Sequence, residues 1–243
     1  MLAQLGRRLH VWIAEPPREP GAAWVAEHEP MLSAEERARH RRFARTADRD
    51  LFLASRVLLR TTLSRYGDIE PSGWTFRRGP HGRPEIANPQ SPPGLRFSLS
   101  HTDGMVALMV HDDADGGIDV ERVGRVASTA SVARTAFAAI ERDALLALPR
   151  DQRDARFYRL WTLKEAFAKA TGRGLSLHLD EIWFADTGEE TITLGCRESI
   201  EPDPSEWAFT VGRPSAHHVL ATACRSGRGR PAREVELRRV SLS

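Results

Sequence analysis

The stretch "FYRLWTLKEAFAKATGRGL", residues 157–175, decides the fold of the second half of the chain. Its apolar residues recur at helical spacing and glycine follows Thr171, so the pattern predicts a helix over residues 152–171. The stretch also contains Lys164 and Lys169, the only lysines among 35 lysine and arginine residues. Lysine carries a compact ammonium on an unbranched alkyl chain, whereas arginine ends in a wide, planar guanidinium. The choice of lysine therefore indicates a crowded site that contacts phosphate or a metal. A surface ion pair between Glu165 and Lys169 is the alternative.

A similar helical stretch occurs earlier in the chain, at residues 49–67. Residues 52–67 and 157–172 have the same length, both end at glycine, and a strand pattern with a tryptophan follows each. A duplicated α+β unit would explain this similarity. Any two amphipathic helices can share such spacing, however, so these residues alone leave the duplication open.

Composition excludes several classes of protein. Apolar residues make up 41% and charged residues 28% of the 243 residues, which is typical of a globular chain. Residues 226–243 carry five arginines and two glutamates, or +3, which leaves −1 for the rest of a chain with net charge +2. The body is therefore not a basic, nucleic-acid-coating surface. No apolar run is long enough to span a membrane, and the two cysteines lie far apart, so we expect a cytoplasmic protein with reduced thiols.

The segment "GIDVE", residues 117–121, carries two carboxylates at a spacing that suits a metal. On a strand, Asp119 and Glu121 project from one face while Ile118 and Val120 project from the other. Two carboxylates on one face can share a hard cation such as Mg²⁺. The alternative is a half-buried strand whose polar face lies in water.

Two further segments could bind an anionic ligand. In "LRFSLSH", residues 95–101, apolar and polar residues alternate, and "TDG" turns the chain into the apolar run "MVALMV", so residues 95–110 predict a hairpin with Ser100 and His101 at the end of a strand. In "RRGPHGRP", residues 77–84, Arg78 and Arg83 bracket a glycine-containing loop and could hold phosphates by bidentate hydrogen bonds. Both segments are also compatible with an ordinary hairpin end and an ordinary loop.

These pieces occur in the order "GRP", "SLSH", "GIDVE" and "FYRLWTLKEAFAKATGRGL". In that order they resemble the 4′-phosphopantetheinyl transferases of the surfactin-synthetase-activating class. The resemblance implies an α+β fold of two similar halves in a pseudo-twofold arrangement, with the active site between them. We expect an N-terminal half at residues 1–115, a C-terminal half with the metal motifs at 116–225, and a basic tail at 226–243.

The resemblance also implies an activity, a cofactor and partners. Enzymes of this class transfer the 4′-phosphopantetheine arm of coenzyme A to a serine hydroxyl of an acyl or peptidyl carrier protein, require Mg²⁺ and release 3′,5′-ADP. We therefore expect coenzyme A and a carrier protein as partners, with no nucleic acid and no membrane. A duplicated chain already supplies both halves of the site, so we expect a monomer.

Residue by residue, the resemblance assigns the Mg²⁺ ligands to Asp119, Glu121 and Glu165. It assigns contacts with the phosphates or the phosphopantetheine arm to Lys164 and Lys169. The remaining coenzyme A contacts fall on Ser100, His101, Arg78, Arg83 and Arg45. By position, Glu165 is also our candidate for the base that takes the serine proton. The chain departs from the family at Arg83, where lysine is more common, and at Ser98, where asparagine is more common.

Two other functions remain open from the sequence. Carboxylates on a strand near a glutamate and a lysine also resemble Mg²⁺-dependent nucleases. A non-catalytic module that binds a carrier protein or a nucleotide is the second alternative.

Overall fold

The computed structural model describes most of the chain, namely residues 5, 8–79, 81–112, 115–126, 128–186, 191–226 and 233–242. It divides the chain into two compact units. The first unit contains residues 1–113 and 234–243, and the second contains residues 114–233. The division thus lies close to the expected boundary after residue 115, but the end of the chain returns to the first unit.

The first unit is an antiparallel sheet covered by helices, with one parallel strand added at its edge. Its sheet has the order β11-β1-β5-β4, and β2 and β3 form a separate hairpin. The described elements are β1 (Arg8–Ala14), α1 (Ala22–His28), α2 (Ala34–Arg41), α3 (Thr46–Leu63), β2 (Phe76–Arg78), β3 (Pro84–Ile86), β4 (Leu95–Thr102), β5 (Met105–Asp112) and β11 (Glu234–Arg239).

The second unit has a sheet of the order β6-β10-β9, and β7 and β8 form a separate hairpin. Both strand pairs in the sheet are antiparallel, and α6 packs against β6 and β10. The described elements are β6 (Gly116–Arg122), α4 (Thr129–Ala136), α5 (Ala139–Ala147), α6 (Arg150–Thr171), β7 (Ile182–Asp186), β8 (Ile192–Cys196), β9 (Trp207–Ser215) and β10 (His218–Arg225).

The two units repeat one topology. In each, a first strand is followed by helices, a short hairpin and two further strands, and the second of these two strands lies in the middle of the sheet; the first unit then adds β11 outside β1. The order β1-β5-β4 in the first unit thus corresponds to β6-β10-β9 in the second. The expected fold of two similar α+β halves is confirmed at this level, while the placement of a site between them stays a prediction.

The buried guanidinium of Arg60, in helix α3, connects three segments of the first unit. The Arg60 side chain is 1% exposed and donates to Glu36, at 2.6 Å, from Nη2. Its Nη1 donates to the carbonyls of Pro71 and Trp74, at 3.1 and 2.7 Å. Glu36 also accepts the Ser33 amide in the capping box that begins α2. The guanidinium therefore fixes α3 against the start of α2 and the segment before the β2–β3 hairpin.

The second unit repeats this arrangement with a lysine. The Lys164 ammonium lies 2.7 Å from Glu141 and donates to the carbonyls of Leu179 and Ile182, at 2.7 and 2.5 Å. Glu141 is the third residue of α5, as Glu36 is the third residue of α2. A buried cation paired with the third residue of a preceding helix therefore occurs at matching places in both units. This similarity supports the duplication more strongly than shared helix spacing does.

The last strand replaces part of the expected basic tail. Residues Glu234–Arg239 form β11, which pairs in parallel with β1 from Arg8 to Ile13. Arg8 forms ion pairs with Glu234 and Glu236, at 3.1 and 3.3 Å. The alternating charges of this segment therefore face partners on β1, and the strand covers an edge whose backbone groups would otherwise lack ladder partners.

Candidate active site

The carboxylate strand lies unusually close to the lysine helix at Gly117. A Cβ at this position would lie 2.1 Å from the Ala166 carbonyl oxygen and 2.4 Å from the Ala170 nitrogen. No real side chain tolerates such contact with backbone atoms, so only glycine permits this approach of β6 to α6. The glycine of "GIDVE" therefore brings the acidic residues that follow it next to the helix.

Asp119 and Lys169 form the central contact between the strand and the helix. The Lys169 ammonium donates to Asp119 Oδ1 at 2.6 Å. Asp119 is 3% exposed, whereas the Lys169 side chain is 32% exposed. The alternation predicted from the sequence is confirmed by contacts, since Asp119 bonds to Lys169 and Glu121 bonds to Trp161, both on α6.

Glu121 and Glu165 share the electrostatic environment of Asp119. Burial, followed by the charge of Asp119, raises the pKa of Glu121 to about 7. Burial, followed again by Asp119, raises the pKa of Glu165, and the Lys169 charge opposes both shifts. Crowded carboxylates with raised pKa values are typical of functional sites.

Trp161 is a site residue that the sequence analysis did not single out. Its indole Nε1 donates to Glu121 Oε1 at 3.1 Å, and its ring stacks on Phe157 with a centroid distance of 6.3 Å. The signal was present in the sequence, because Trp161, Glu165 and Lys169 follow each other at four-residue intervals and so share one face of α6.

The donor chemistry of this cluster fits a hard divalent cation. Asp119, Glu121 and Glu165 offer only oxygen ligands, and the positive charges of Lys169 and Arg125 act on this cluster of three carboxylates. In the part of the chain that the structure describes, no group of three or more His, Cys, Asp or Glu side chains is already arranged to hold a metal ion. Asp119 and Glu121 instead bind Lys169 and Trp161. The residues thus suit Mg²⁺ by type and charge, but their side chains must move to bind it.

Lys164 does not take the role that the sequence suggested. Its side chain is 0% exposed and bonds to Glu141 and two backbone carbonyls inside the second unit. Burial lowers the pKa of its ammonium, and Glu141 opposes the shift. The structure gives the predicted contact with phosphates no support, because Glu141 and the two carbonyls enclose the ammonium. Glu165 and Lys169 share one face of the helix, and Lys164 lies on another.

In the first unit, Arg78 and Arg83 line different cavities. Arg78 lines a cavity of about 470 Å³ together with Arg39 and Arg42. Arg83 lines another, of about 370 Å³, with Arg77 and other residues. Alternation along β2 separates Arg77 from Arg78, since neighbouring side chains on a strand point to opposite faces, and Arg83 lies just before β3 in the cavity of Arg77. Arg39 and Arg42 were not among the predicted residues, although "RARHRRF" at residues 37–43 shows the clustered charge.

The remaining predicted contacts also lie in the first unit. Ser100 is buried at 5% exposure near the end of β4, while His101 is exposed. Arg45 is the exposed N-cap residue of α3 and is not among the described residues that line the Arg78 cavity. Shared phosphate contacts of these three residues therefore stay predictions.

Comparison with known proteins assigns the family. A model described as "4′-phosphopantetheinyl transferase, N-terminal" matches residues 19–112, and one described as "4′-phosphopantetheinyl transferase superfamily" matches residues 116–223. The chain is 33% identical over 193 residues to the 4′-phosphopantetheinyl transferase HetI of Nostoc sp. strain PCC 7120, covering 79% of this chain and 80% of the relative. The chain belongs to the 4′-phosphopantetheinyl transferase family. It is therefore a transferase of phosphopantetheine to carrier proteins, with coenzyme A as substrate.

A second relative agrees with this assignment. The transferase is 34% identical over 150 residues to Sfp of Bacillus subtilis strain 168, covering 62% of this chain and 64% of the relative. Among solved structures, holo-[acyl-carrier-protein] synthase of Thermotoga maritima aligns at 23% identity and a TM-score of 0.39, over 47% of this chain and 64% of the other. Among the residues described, no helix has the length and apolar character needed to cross a membrane.

Proposed function

We propose that the transferase moves the 4′-phosphopantetheine arm to a serine hydroxyl of an acyl or peptidyl carrier protein, with Mg²⁺ held by Asp119, Glu121 and Glu165 and with 3′,5′-ADP released. The observation that carries the proposal is the contact between β6 and α6. There, buried carboxylates and Lys169 meet at a close approach that only Gly117 permits.

The reaction is the attack of a serine oxygen on a phosphorus of the coenzyme A pyrophosphate, so negative charge must be stabilised. When bound, Mg²⁺ would supply positive charge next to the phosphate oxygens. The half-exposed Lys169 supports the same task, because its ammonium lies at the edge of the carboxylate cluster on a flexible stem. Lys164 has no part in this step.

We assign the acceptance of the serine proton to Glu165. The assignment rests on position, because Glu165 lies one helical turn before Lys169 on the same face of α6, which faces the strand with Asp119. Glu165→Gln keeps a similar shape and can still offer an oxygen but cannot accept the proton. We expect it to lose at least about a hundredfold in kcat while still binding coenzyme A.

The nucleotide end of coenzyme A carries its own phosphates, and arginine clusters of the first unit suit them. Arg39, Arg42 and Arg78 line one cavity, and guanidinium groups bind phosphate by paired hydrogen bonds. Arg83, Ser100, His101 and Arg45 remain the contacts proposed from the sequence. Replacement of Arg78 by alanine should raise the KM for coenzyme A more than it changes kcat.

The decisive assay uses mass spectrometry of a purified apo-carrier protein incubated with coenzyme A and Mg²⁺. The proposal expects a mass gain equal to the phosphopantetheine arm with the wild type, and almost none with Asp119→Asn or Glu165→Gln. Glu198→Gln is the matched control, because Glu198 is an exposed carboxylate outside the cluster. No gain with any of several carriers, or equal gains with all variants, would overturn the proposal.

The proposal includes a monomer that works in the cytoplasm and does not act on nucleic acid. Size-exclusion chromatography with light scattering tests the oligomeric state. Incubation with plasmid DNA and Mg²⁺ tests the nuclease alternative, and we expect the DNA to remain intact.

A further inference from the structure

The contact between Lys169 and Asp119 raises a question about metal binding. Asp119 is a proposed metal ligand, yet its Oδ1 lies 2.6 Å from the Lys169 ammonium. An ammonium and a metal ion cannot both occupy that side of one carboxylate oxygen at such distances. A cation that takes the same lone pair of Oδ1 displaces the Lys169 ammonium, and a cation on the other oxygen still competes with Lys169 for the charge of one carboxylate.

The position of Lys169 allows such a departure. Its side chain is 32% exposed, in contrast to 5% for the side chain of Asp119, so the ammonium can move toward solvent while the carboxylate stays in place. A lysine side chain has four carbons joined by rotatable bonds and a single charged nitrogen. Arginine would hold the carboxylate by a bidentate bond and would leave it less readily.

The cluster also needs a cation when no metal is present. Asp119 is almost completely buried, and a buried carboxylate without a nearby positive charge is costly. The charges of Glu121 and Glu165 lie close enough to be influenced by Asp119, which increases the repulsion. Lys169 compensates part of this charge.

We propose that Lys169 is an exchangeable counter-ion: it holds Asp119 in the metal-free enzyme, yields the carboxylate to the divalent cation, and thereby becomes available to the phosphates of coenzyme A. This inference deepens the proposed function, on whose metal site it rests. The exchange links metal binding to coenzyme A binding. A single movement of the Lys169 side chain frees Asp119 for the metal and brings the ammonium to the phosphates.

The test measures binding of Mn²⁺, a spectroscopic substitute for Mg²⁺, to the free enzyme by calorimetry and electron paramagnetic resonance, without coenzyme A. If Lys169 competes with the metal, Lys169→Gln and Lys169→Ala should bind Mn²⁺ several-fold more tightly than the wild type. Without metal, both variants should have a lower melting temperature than the wild type. Addition of Mn²⁺ should raise their melting temperature by more than it raises that of the wild type. Arg150→Ala, which removes an exposed positive charge from the start of the same helix, should leave Mn²⁺ affinity close to the wild-type value.

The outcomes separate the exchange from the metal site itself. Equal or weaker Mn²⁺ binding by both folded Lys169 variants would overturn the exchange and leave the metal site standing. Absence of binding in the wild type and in all variants would overturn both. Far-UV circular dichroism checks folding, and the choice of two substitutions keeps the test valid if one of them fails to fold.

Discussion

The Lys164 ammonium and the Glu141 carboxylate lie 2.7 Å apart with both side chains at 3% exposure or less. Glu141 also accepts the amides of Ala138 and Phe184, at 3.1 and 3.0 Å, so one carboxylate joins α5, α6 and β7. Such a buried pair holds its surroundings in one arrangement, and removal of either member leaves the other charge without compensation.

We therefore expect Lys164→Met to lower the free energy of unfolding by about 3–5 kcal/mol. The double variant Lys164→Met with Glu141→Leu should recover part of this loss, because no buried charge is then left alone. Urea denaturation measures both. A stable Lys164→Met enzyme with a specific loss of affinity for coenzyme A would contradict the structural role and restore the contact suggested by the sequence.

Gly117 gives a second prediction, because the site depends on the close approach of β6 to α6. Gly117→Ala places a methyl group 2.1 Å from the Ala166 carbonyl oxygen, so backbone must move. We expect a loss of about 3 kcal/mol or more in stability, together with weaker metal binding. Gly212→Ala is the matched control on β9, where an added Cβ has no atom within 4 Å. Similar melting temperatures for the two variants would count against this account.

The raised pKa of Glu121 predicts a pH dependence of the metal-free enzyme. Its ordinary value is 4.5 and its value in the fold is about 7, so the folded state holds this proton more tightly than the unfolded chain does. The resulting stability is complete below pH 4.5 and is lost as pH rises through 7. We expect Glu121→Gln to lose less stability than the wild type between pH 5 and 8, by an amount on the order of 1 kcal/mol or more. Denaturation in a chelator at several pH values measures this, and parallel curves for both proteins would refute it.

The strand β11 gives a prediction about the end of the chain. Truncation of the chain before residue 233 exposes the backbone of β1. The Arg8 side chain then loses its ion pairs with Glu234 and Glu236, and the Trp24 indole loses the Leu242 carbonyl to which it donates. We expect a lower melting temperature and aggregation through the open strand edge. An unchanged melting temperature would mean that this strand contributes little.

Much of the second unit was predictable because its signals are local. Helix α6 occupies residues 150–171 where 152–171 was expected, and Gly172 ends it in the left-handed conformation. The alternation of "GIDVE" predicted Asp119 and Glu121 on one face of a strand, and helical spacing predicted Glu165 and Lys169 on one face of a helix, whereas only the family resemblance implied that the two faces meet. The two face assignments need only the periods of strand and helix.

The errors have a common physical cause, which is a partner distant in sequence. The sequence around Lys164 does not indicate that Lys164 pairs with Glu141, a residue 23 positions away that belongs to the same buried cluster. Residues 234–239 resemble a charged tail until β1 supplies the pairing. Long-range contacts decide these cases, and a single sequence does not display them.

The proposed divalent cation joins the strand β6 to the helix α6. Anomalous diffraction from a crystal soaked with coenzyme A and Mn²⁺ would locate this cation. We predict one strong peak within bonding distance of Asp119, Glu121 and Glu165, with the Lys169 ammonium displaced toward the pyrophosphate. A bound coenzyme A with no peak at these carboxylates, and with Lys169 still on Asp119, would contradict the account.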